Sequence, residues 1–274
     1  MNRFDRSLNK TNDQPLRSAS VVSLPDGGVE ARELVVEAPV AIVFQGETVA
    51  VMMATPSDLE DFAIGFAFTE GFIAHLDDID DLSIHRHERG YEARFWLKGD
   101  LAAAFIERRR SMMGPVGCGL CGIDSIEAAV RKVPDLSGMN SPLTALDLVG
   151  ATDRLRAHQP LHDQTHAAHG AGFFLAGEGI TRVREDVGRH NALDKLIGSL
   201  ARDGVDPSTG AIVLTSRISV ELVQKAAIAS CPIVVAVSSP TAFAVNTAED
   251  AGITLARANG ETALTVFSHP ERLK

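Results

Sequence analysis

Cysteine is scarce in this chain, with three in 274 residues. That is too few for a disulfide-stapled scaffold, and an odd count suits a reducing compartment. No apolar run approaches the roughly 18 residues that a membrane helix needs. The polar start, Met1 to Ser18, lacks the apolar stretch of a secretory signal. Positive charge is in deficit: 26 Lys+Arg stand against 36 Asp+Glu, a net charge of −10. Broad nucleic-acid binding is disfavoured by that balance, although a local basic cleft would be compatible with it. Aromatics are few, one Trp and one Tyr beside twelve Phe. The apolar fraction of 45% is nonetheless that of a folded globular chain. The expectation is a soluble cytoplasmic protein of one large or two modest domains, with no membrane and no nucleic-acid partner.

What is present reads as a fold of the α/β (α+β) class. Residues 1–19, polar and charged, read as a flexible leader. Pro39–Phe44 and Thr48–Met53 alternate as strands about the turn Gln45-Gly46-Glu47, a β-hairpin. Ser57 with Glu60 has the spacing of a capping box. The helix it would open carries Leu59, Phe62, Ala63, Phe66 and Ala67 on one face and ends near Gly71. Arg94–Leu97 reads as a strand, Ala102–Arg110 as a helix, and Asp124 with Glu127 as a second capping box before a helix to Val130. Arg131–Asn140 reads as a linker and Leu143–His158 as a helix.

Beyond it, strands at 179–184, 211–215, 232–237, 253–257 and 264–267 alternate with helices at 189–200, 219–230 and 241–251. Short apolar strands separated by helices of this length indicate βαβ units and a covered, mixed or parallel sheet. The organisation expected is a leader (1–19), an N-terminal β-rich part (20–140) and an α/β part (141–274).

The segment Gly114-Pro-Val-Gly-Cys118-Gly-Leu-Cys121-Gly122 concentrates the chemistry. Its glycines carry no Cβ, so a large partner could reach the sulfurs. A following helix N-terminus and Arg108, Arg109 and Arg110 would stabilise a thiolate. Four readings compete. Two unremarkable thiols would favour apolar surroundings, which this segment lacks. A metal site would need more ligands than one cysteine pair, and Cys231 begins a buried strand. Gly117-x-Gly119-x-x-Gly122 matches a dinucleotide fingerprint, but no strand precedes it. Thiol chemistry, either redox exchange or sulfur carriage, fits best, because a dithiol at this spacing can resolve a species held on one sulfur.

Three helix N-termini after expected strands are polar: Arg184–Asn191, Thr215–Ser219 and Ser238–Thr241. In open α/β sheets, ligands bind at the carboxyl ends of strands, where helix N-termini receive phosphates. Arg189, Arg217 and the neighbouring hydroxyls would suit a nucleotide's phosphate groups. Ser, Thr and Asp are equally ordinary N-caps. His169 and His190 are open to an acid–base or a structural role.

Several segments resemble the FdhD family, the formate dehydrogenase accessory sulfurtransferases. They are Phe68–Gly71, Gly117–Gly122, Arg184–Lys195, Ser216–Ser219 with Gln224–Ala227, Ser238–Thr241 and His269–Arg272. The resemblance implies a cytidine-deaminase-like core without zinc and no resident metal. It implies that sulfur is taken from a cysteine desulfurase and passed to the molybdenum (or tungsten) bis-pterin guanine dinucleotide cofactor, bound transiently before insertion into formate dehydrogenase. On it, Cys118 is the persulfide carrier and Cys121 the second cysteine of the pair. A cofactor-contacting stretch falls on Leu255, Ala256, Arg257, Ala258, Asn259 and Gly260, where Ala256 and Arg257 agree with the family pattern and the rest depart. Thr165 and His169 likewise match a family pattern in which His166 and Ala167 replace glycines. Arg217, Ser216, Ser219, Arg189, His190, Asn191, Ser239 and Thr241 are the further cofactor-binding candidates, and a homodimer is expected. Two other functions stay open: a cofactor-binding chaperone without sulfur chemistry, and a thiol–disulfide exchanger.

Overall fold

The computed structural model describes residues 14–103, 105 and 131–273. The cysteine segment with Cys118 and Cys121, the arginines 108–110, the Asp124/Glu127 box and its helix lie outside the described residues, as do the first thirteen. The expected helix 102–110 lies mostly outside them too.

The chain forms an α+β fold with three sheets. A two-stranded hairpin of β1 (Leu16–Ser23) and β2 (Gly28–Val35) comes first, so the last four residues of the expected flexible leader, 16–19, are strand, held by pairing with 32–35. Its strands are mostly exposed, so neither has the apolar alternation that would announce it. A four-stranded sheet follows in the order β4-β3-β6-β5, from β3 (Ala38–Phe44), β4 (Glu47–Ala54), β5 (Ile79–His87) and β6 (Gly90–Leu97). The expected β3–β4 hairpin is present. Gln45 and Gly46 both take positive φ, 52° and 82°, as a two-residue loop matched to strand twist requires.

Helix α1 (Leu59–Thr69) packs on this sheet through Leu59, Phe62, Ala63 and Phe66. Its expected Ser57/Glu60 capping box does not form. Asp58 is the N-cap, in the left-handed region and without a side-chain cap. Glu60 is instead drawn to Arg202, 2.9 Å away.

The large sheet is mixed, in the order β12-β11-β10-β9-β7-β8. Its strands are β7 (His169–Leu175), β8 (Gly179–Asp186), β9 (Gly210–Leu214), β10 (Ile233–Ala236), β11 (Thr254–Asn259) and β12 (Ala263–Ser268). The expected helix over 143–158 is two short ones, α2 (Ala145–Leu148) and α3 (Ala151–Arg156). Gly150 breaks it with φ 72°. A further short helix, α4 (Pro160–Thr165), precedes β7. Three longer helices follow: α5 (Arg189–Arg202), α6 (Val220–Ile228) and α7 (Ala242–Asp250).

Strands β9, β10 and β11 are parallel and joined by α6 and α7 as two βαβ units. One face of the sheet packs on α5, α6 and α7 through Phe173, Ile212, Leu214, Val234 and Leu255. The other packs on α2 and α3 through Phe174, Val213, Val235 and Ala256. Strand β7 was not expected from the sequence, because its Gly170 and Gly172 interrupt the apolar pattern. Both glycines admit neighbours that a Cβ would strike: the Gln159 side chain at Gly170 and Leu155 at Gly172.

The two halves meet where α1 crosses α5. A Cβ built at Gly65 would stand 1.8 Å from the Asp194 carbonyl oxygen, and one at Gly198 would stand 1.9 Å from that of Asp61. Backbone cannot yield to such overlap without moving a helix. Gly198→Ala should therefore destabilise the protein by about 3 kcal/mol, the upper range for overpacking. Urea unfolding at neutral pH checks this, and a midpoint equal to wild type would show that the crossing can open at little cost.

Candidate functional site

The most specific sequence run, Arg184–Lys195, is divided by the structure between two tasks. Its acidic and amide side chains hold the halves together. Glu185 caps α4, its carboxylate accepting from the Leu161 and His162 amides at 2.9 Å each. Asp186 is fully buried and accepts from Thr55 N, Gly188 N and Asn191 Nδ2. Its Oδ2 lies 2.7 Å from Lys195 Nζ. Lys195 also donates to the carbonyls of Thr55 and Glu185. Burial holds its ammonium below the usual lysine range, against the pull of Asp186.

Asn191 is buried, and its amide donates to Met53 O as well as to Asp186. Asp194 accepts from Thr69 Oγ1 and from Lys225 Nζ. Lys225 in turn reaches Glu70, which also pairs with Arg131. Thr55 is the partner that sequence reading missed, and Thr69, inside the Phe68–Gly71 segment, carried no role there. A lone threonine beside a helix carries no sign of what it will meet 120 or more residues away.

Arg184, at the start of this run, pairs with Asp61, and Arg189 and His190 form the first turn of α5. Burial, with Arg189 beside it, holds the His190 imidazole down to about 4, so it is neutral across the neutral pH range. Its Nε2 is buried without a hydrogen-bond partner, and a Glu221 carboxylate oxygen lies 3.8 Å away. Burial and Arg189 likewise lower His169.

The strand register brings the three polar helix N-termini to one edge. Leu214 and Arg257 both stand opposite Ala236, so β9 and β10 end level with one another and β11 runs two residues further, to Asn259. Strand β7 is antiparallel to β9 and to β8, and His169 pairs with Asp186. The end of β8 and the start of α5 therefore lie at that same edge. The loops there are hydrogen-bonded together. Thr215 N donates to Gly170 O, Val237 N to Leu214 O, and Thr241 N to Ile218 O, each at 3.1 Å.

The predicted residues divide by exposure. Arg217, Ser239, Thr241, Arg257 and Gly260 are exposed, and Arg189, His190, Ser219 and Asn259 are half-buried. Ser216, Leu255, Ala256 and Ala258 are buried. Thr241 caps α7 through its side chain, whereas Ser219, at the N-cap of α6, makes no such bond. Ser216 Oγ donates to Arg217 O at 3.0 Å, and Asn259 Nδ2 donates to Thr265 Oγ1. The third cysteine, Cys231, is fully buried, and burial pushes its thiol up to about 12. It is unreactive for that reason. No helix among the described residues is long and apolar enough to cross a membrane.

Helix N-termini and arginines thus gather at the carboxyl edge of the parallel strands, the place where α/β folds in general receive anionic ligands. The model of the FdhD/NarQ family matches residues 35–274, and the chain belongs to that family. It is 50% identical over 238 residues to the sulfur carrier protein FdhD of Agrobacterium fabrum, covering 86% of this chain and 88% of that protein. Over 237 residues it is 48% identical to the sulfur carrier protein FdhD of Brucella abortus, covering 86% and 88%. A crystal structure from Desulfotalea psychrophila, assigned as a formate dehydrogenase accessory protein, shares the fold. Its TM-score is 0.71 at 24% identity, covering 94% of this chain and 98% of that one.

Proposed function

We propose that this protein is a sulfur carrier serving formate dehydrogenase. In this reading it accepts sulfur from a cysteine desulfurase as a persulfide on Cys118. It then delivers the sulfur to a molybdenum (or tungsten) bis-pterin guanine dinucleotide held at the carboxyl edge of the large sheet. The cofactor is here a substrate, carried and modified before its insertion into the target enzyme.

The observation that carries the reading is the convergence of Arg189, Arg217 and Arg257 with the N-termini of α5, α6 and α7 on one strand edge. A dinucleotide's pyrophosphates need such a cluster of cations and unpaired amides. The names of the relatives supply sulfur as the cargo, and the cysteine pair supplies a group that can hold it.

The chemistry balances without an added oxidant. A Cys118 thiolate attacks the terminal sulfur of the donor's persulfide, and the donor's own cysteine leaves as a thiolate. When the Cys121 thiolate then attacks Cys118 Sγ, a Cys118–Cys121 disulfide forms. The carried sulfur leaves as sulfide, reduced by the two electrons that the dithiol loses. A cellular thiol reductant resets the pair. The test is mass spectrometry of the protein after incubation with a cysteine desulfurase and cysteine. One added sulfur on the Cys118–Cys121 peptide is the expected result, and an unmodified peptide sinks the reading.

The nucleotide half has its own test. Arg217→Ala and Arg257→Ala, both at exposed positions, should each weaken guanosine diphosphate binding about tenfold to a hundredfold, the worth of one charge-assisted phosphate contact. Calorimetric titration measures it. Unfolding midpoints should stay at the wild-type value, since neither guanidinium is buried.

A further inference from the structure

The edge that would hold the phosphates also carries an aromatic ring that no packing requirement explains. Phe243 is 47% exposed and Val237 is 43% exposed, and they flank the β10–α7 connection. On α7 the core contacts are made by Ala244 and Ala248, so Phe243 stands beside the buried stripe rather than in it. A large apolar side chain left in water in the first turn of a helix forgoes about the transfer energy of its buried area. The Thr241 amide, two residues before Phe243, is hydrogen-bonded to the carbonyl of Ile218, the neighbour of Arg217. This bond ties the β10–α7 loop to the Arg217 loop.

The direction of Arg257 follows from strand alternation. Leu255 points to the sheet face that packs on α5, α6 and α7, whereas Ala256 and Ala258 point to the opposite face. Arg257 therefore points the same way as Leu255, one step further toward the carboxyl edge, onto the face that carries α7. Two exposed guanidinium groups and an exposed phenyl ring thus share one end of the α6–α7 layer.

We propose that Phe243, backed by Val237, is the platform on which a planar ring of the bound nucleotide stacks, with Arg217 and Arg257 taking its phosphates. The proposal rests on the nucleotide-binding reading above and adds to it where the base lies. A phenyl face offers no hydrogen bond, so it grips any flat heteroaromatic ring and does not read the ring's edge. The platform therefore contributes affinity for the ring without selecting guanine over adenine.

The experiment is a calorimetric titration of the full chain with guanosine diphosphate, adenosine diphosphate and inorganic pyrophosphate, for wild type, Phe243→Ala and Phe243→Trp. Phe243→Ala should lose about tenfold in affinity for both nucleotides, as expected for one stacked base. Its pyrophosphate affinity should be unchanged. Phe243→Trp should bind both nucleotides at least as well as wild type, with its new indole fluorescence quenched on binding. Wild-type affinity of Phe243→Ala for the nucleotides overturns the platform while leaving the nucleotide site standing. An equal loss for nucleotides and pyrophosphate also overturns it, since the damage would then lie in anion binding. Failure of wild type to bind either nucleotide overturns both readings.

Discussion

Cells whose only copy of this protein carries Cys118→Ser will contain inactive formate dehydrogenase, at the level of cells lacking the protein altogether. The reason is chemical. A serine hydroxyl ionises far above neutral pH, and its oxygen cannot accept the terminal sulfur to give a persulfide. Removing the attacking sulfur therefore removes the step instead of slowing it. Cys121→Ser should behave differently. The first sulfur transfer needs only one thiolate, so the variant should load and then hold its persulfide, because the thiolate that would expel sulfide is gone.

Mass spectrometry after desulfurase treatment separates the two variants. The expected pattern is no added sulfur on Cys118→Ser and a long-lived added sulfur on Cys121→Ser. The inverted pattern would exchange the roles of the two cysteines. Loading of both variants, with normal enzyme activation by both, would leave cofactor binding as the protein's function and sulfur chemistry outside it. Cys231 provides an internal control. Its thiol is buried and pushed up to about 12, so Cys231→Ala should leave loading unaltered.

Asp186→Ala should cost about 3–5 kcal/mol of stability, the usual consequence of stranding one partner of a buried ion pair. That is a large part of the roughly 5–15 kcal/mol that holds a domain folded. Lys195 is fully buried, and Asp186 is its ion-pair partner at 2.7 Å. Without Asp186, the hydrogen bonds left to the ammonium are those to the Thr55 and Glu185 carbonyls. The Thr55 amide, bonded to Asp186 across the two halves, loses its acceptor as well.

The pH dependence gives the loss a signature. The Lys195 ammonium already titrates below the usual lysine range in the folded protein because of burial, and loss of Asp186 lowers it further. Between that folded value and about 10.4 the unfolded chain holds a proton that the folded one has released. Raising the pH in that window therefore favours the folded state. The stability deficit of Asp186→Ala should shrink as pH rises toward about 10, measured by urea unfolding at several pH values. A deficit that is the same at every pH would assign the loss to the cavity and the broken Thr55 contact instead of to the stranded charge.

These two predictions separate what the conspicuous sequence motifs do. The run Arg184–Lys195 reads from the sequence as part of a ligand site, since a strand followed by a basic helix start has that form. The structure spends Asp186, Asn191, Asp194 and Lys195 on joining α5 to the segment around Thr55 and to the end of α1. Arg189 and His190, in the first turn of α5, stand at the strand edge. The division was not legible, because each of these side chains is equally able to bind a phosphate or to pair inside a core. Only the partner decides, and Met53, Thr55 and Thr69 lie 120 or more residues away in sequence.

Local physics wrote the α6–α7 half plainly. The strands around Val213, Val235 and Leu255 and the helices between them are continuous apolar runs and amphipathic turns of the right length, so their expected spans match closely. It wrote the exposed or glycine-bearing strands poorly. β1, β2 and β5 bury too little to show a period, and β7 carries glycines because side chains of Gln159 and Leu155 occupy the space above it.

By itself the sequence determined the class of fold and the parallel βαβ core. It also set two cysteines three positions apart in a glycine-rich segment, far along the chain from the third, because composition, period and glycine content are local properties of the chain. Tertiary structure alone decided that Arg189, Arg217 and Arg257 share one edge, that α1 and α5 touch backbone to backbone at Gly65 and Gly198, and that Phe243 is left exposed in the first turn of α7. Strand register and helix crossing set these placements, and both are relations between segments that no local pattern encodes.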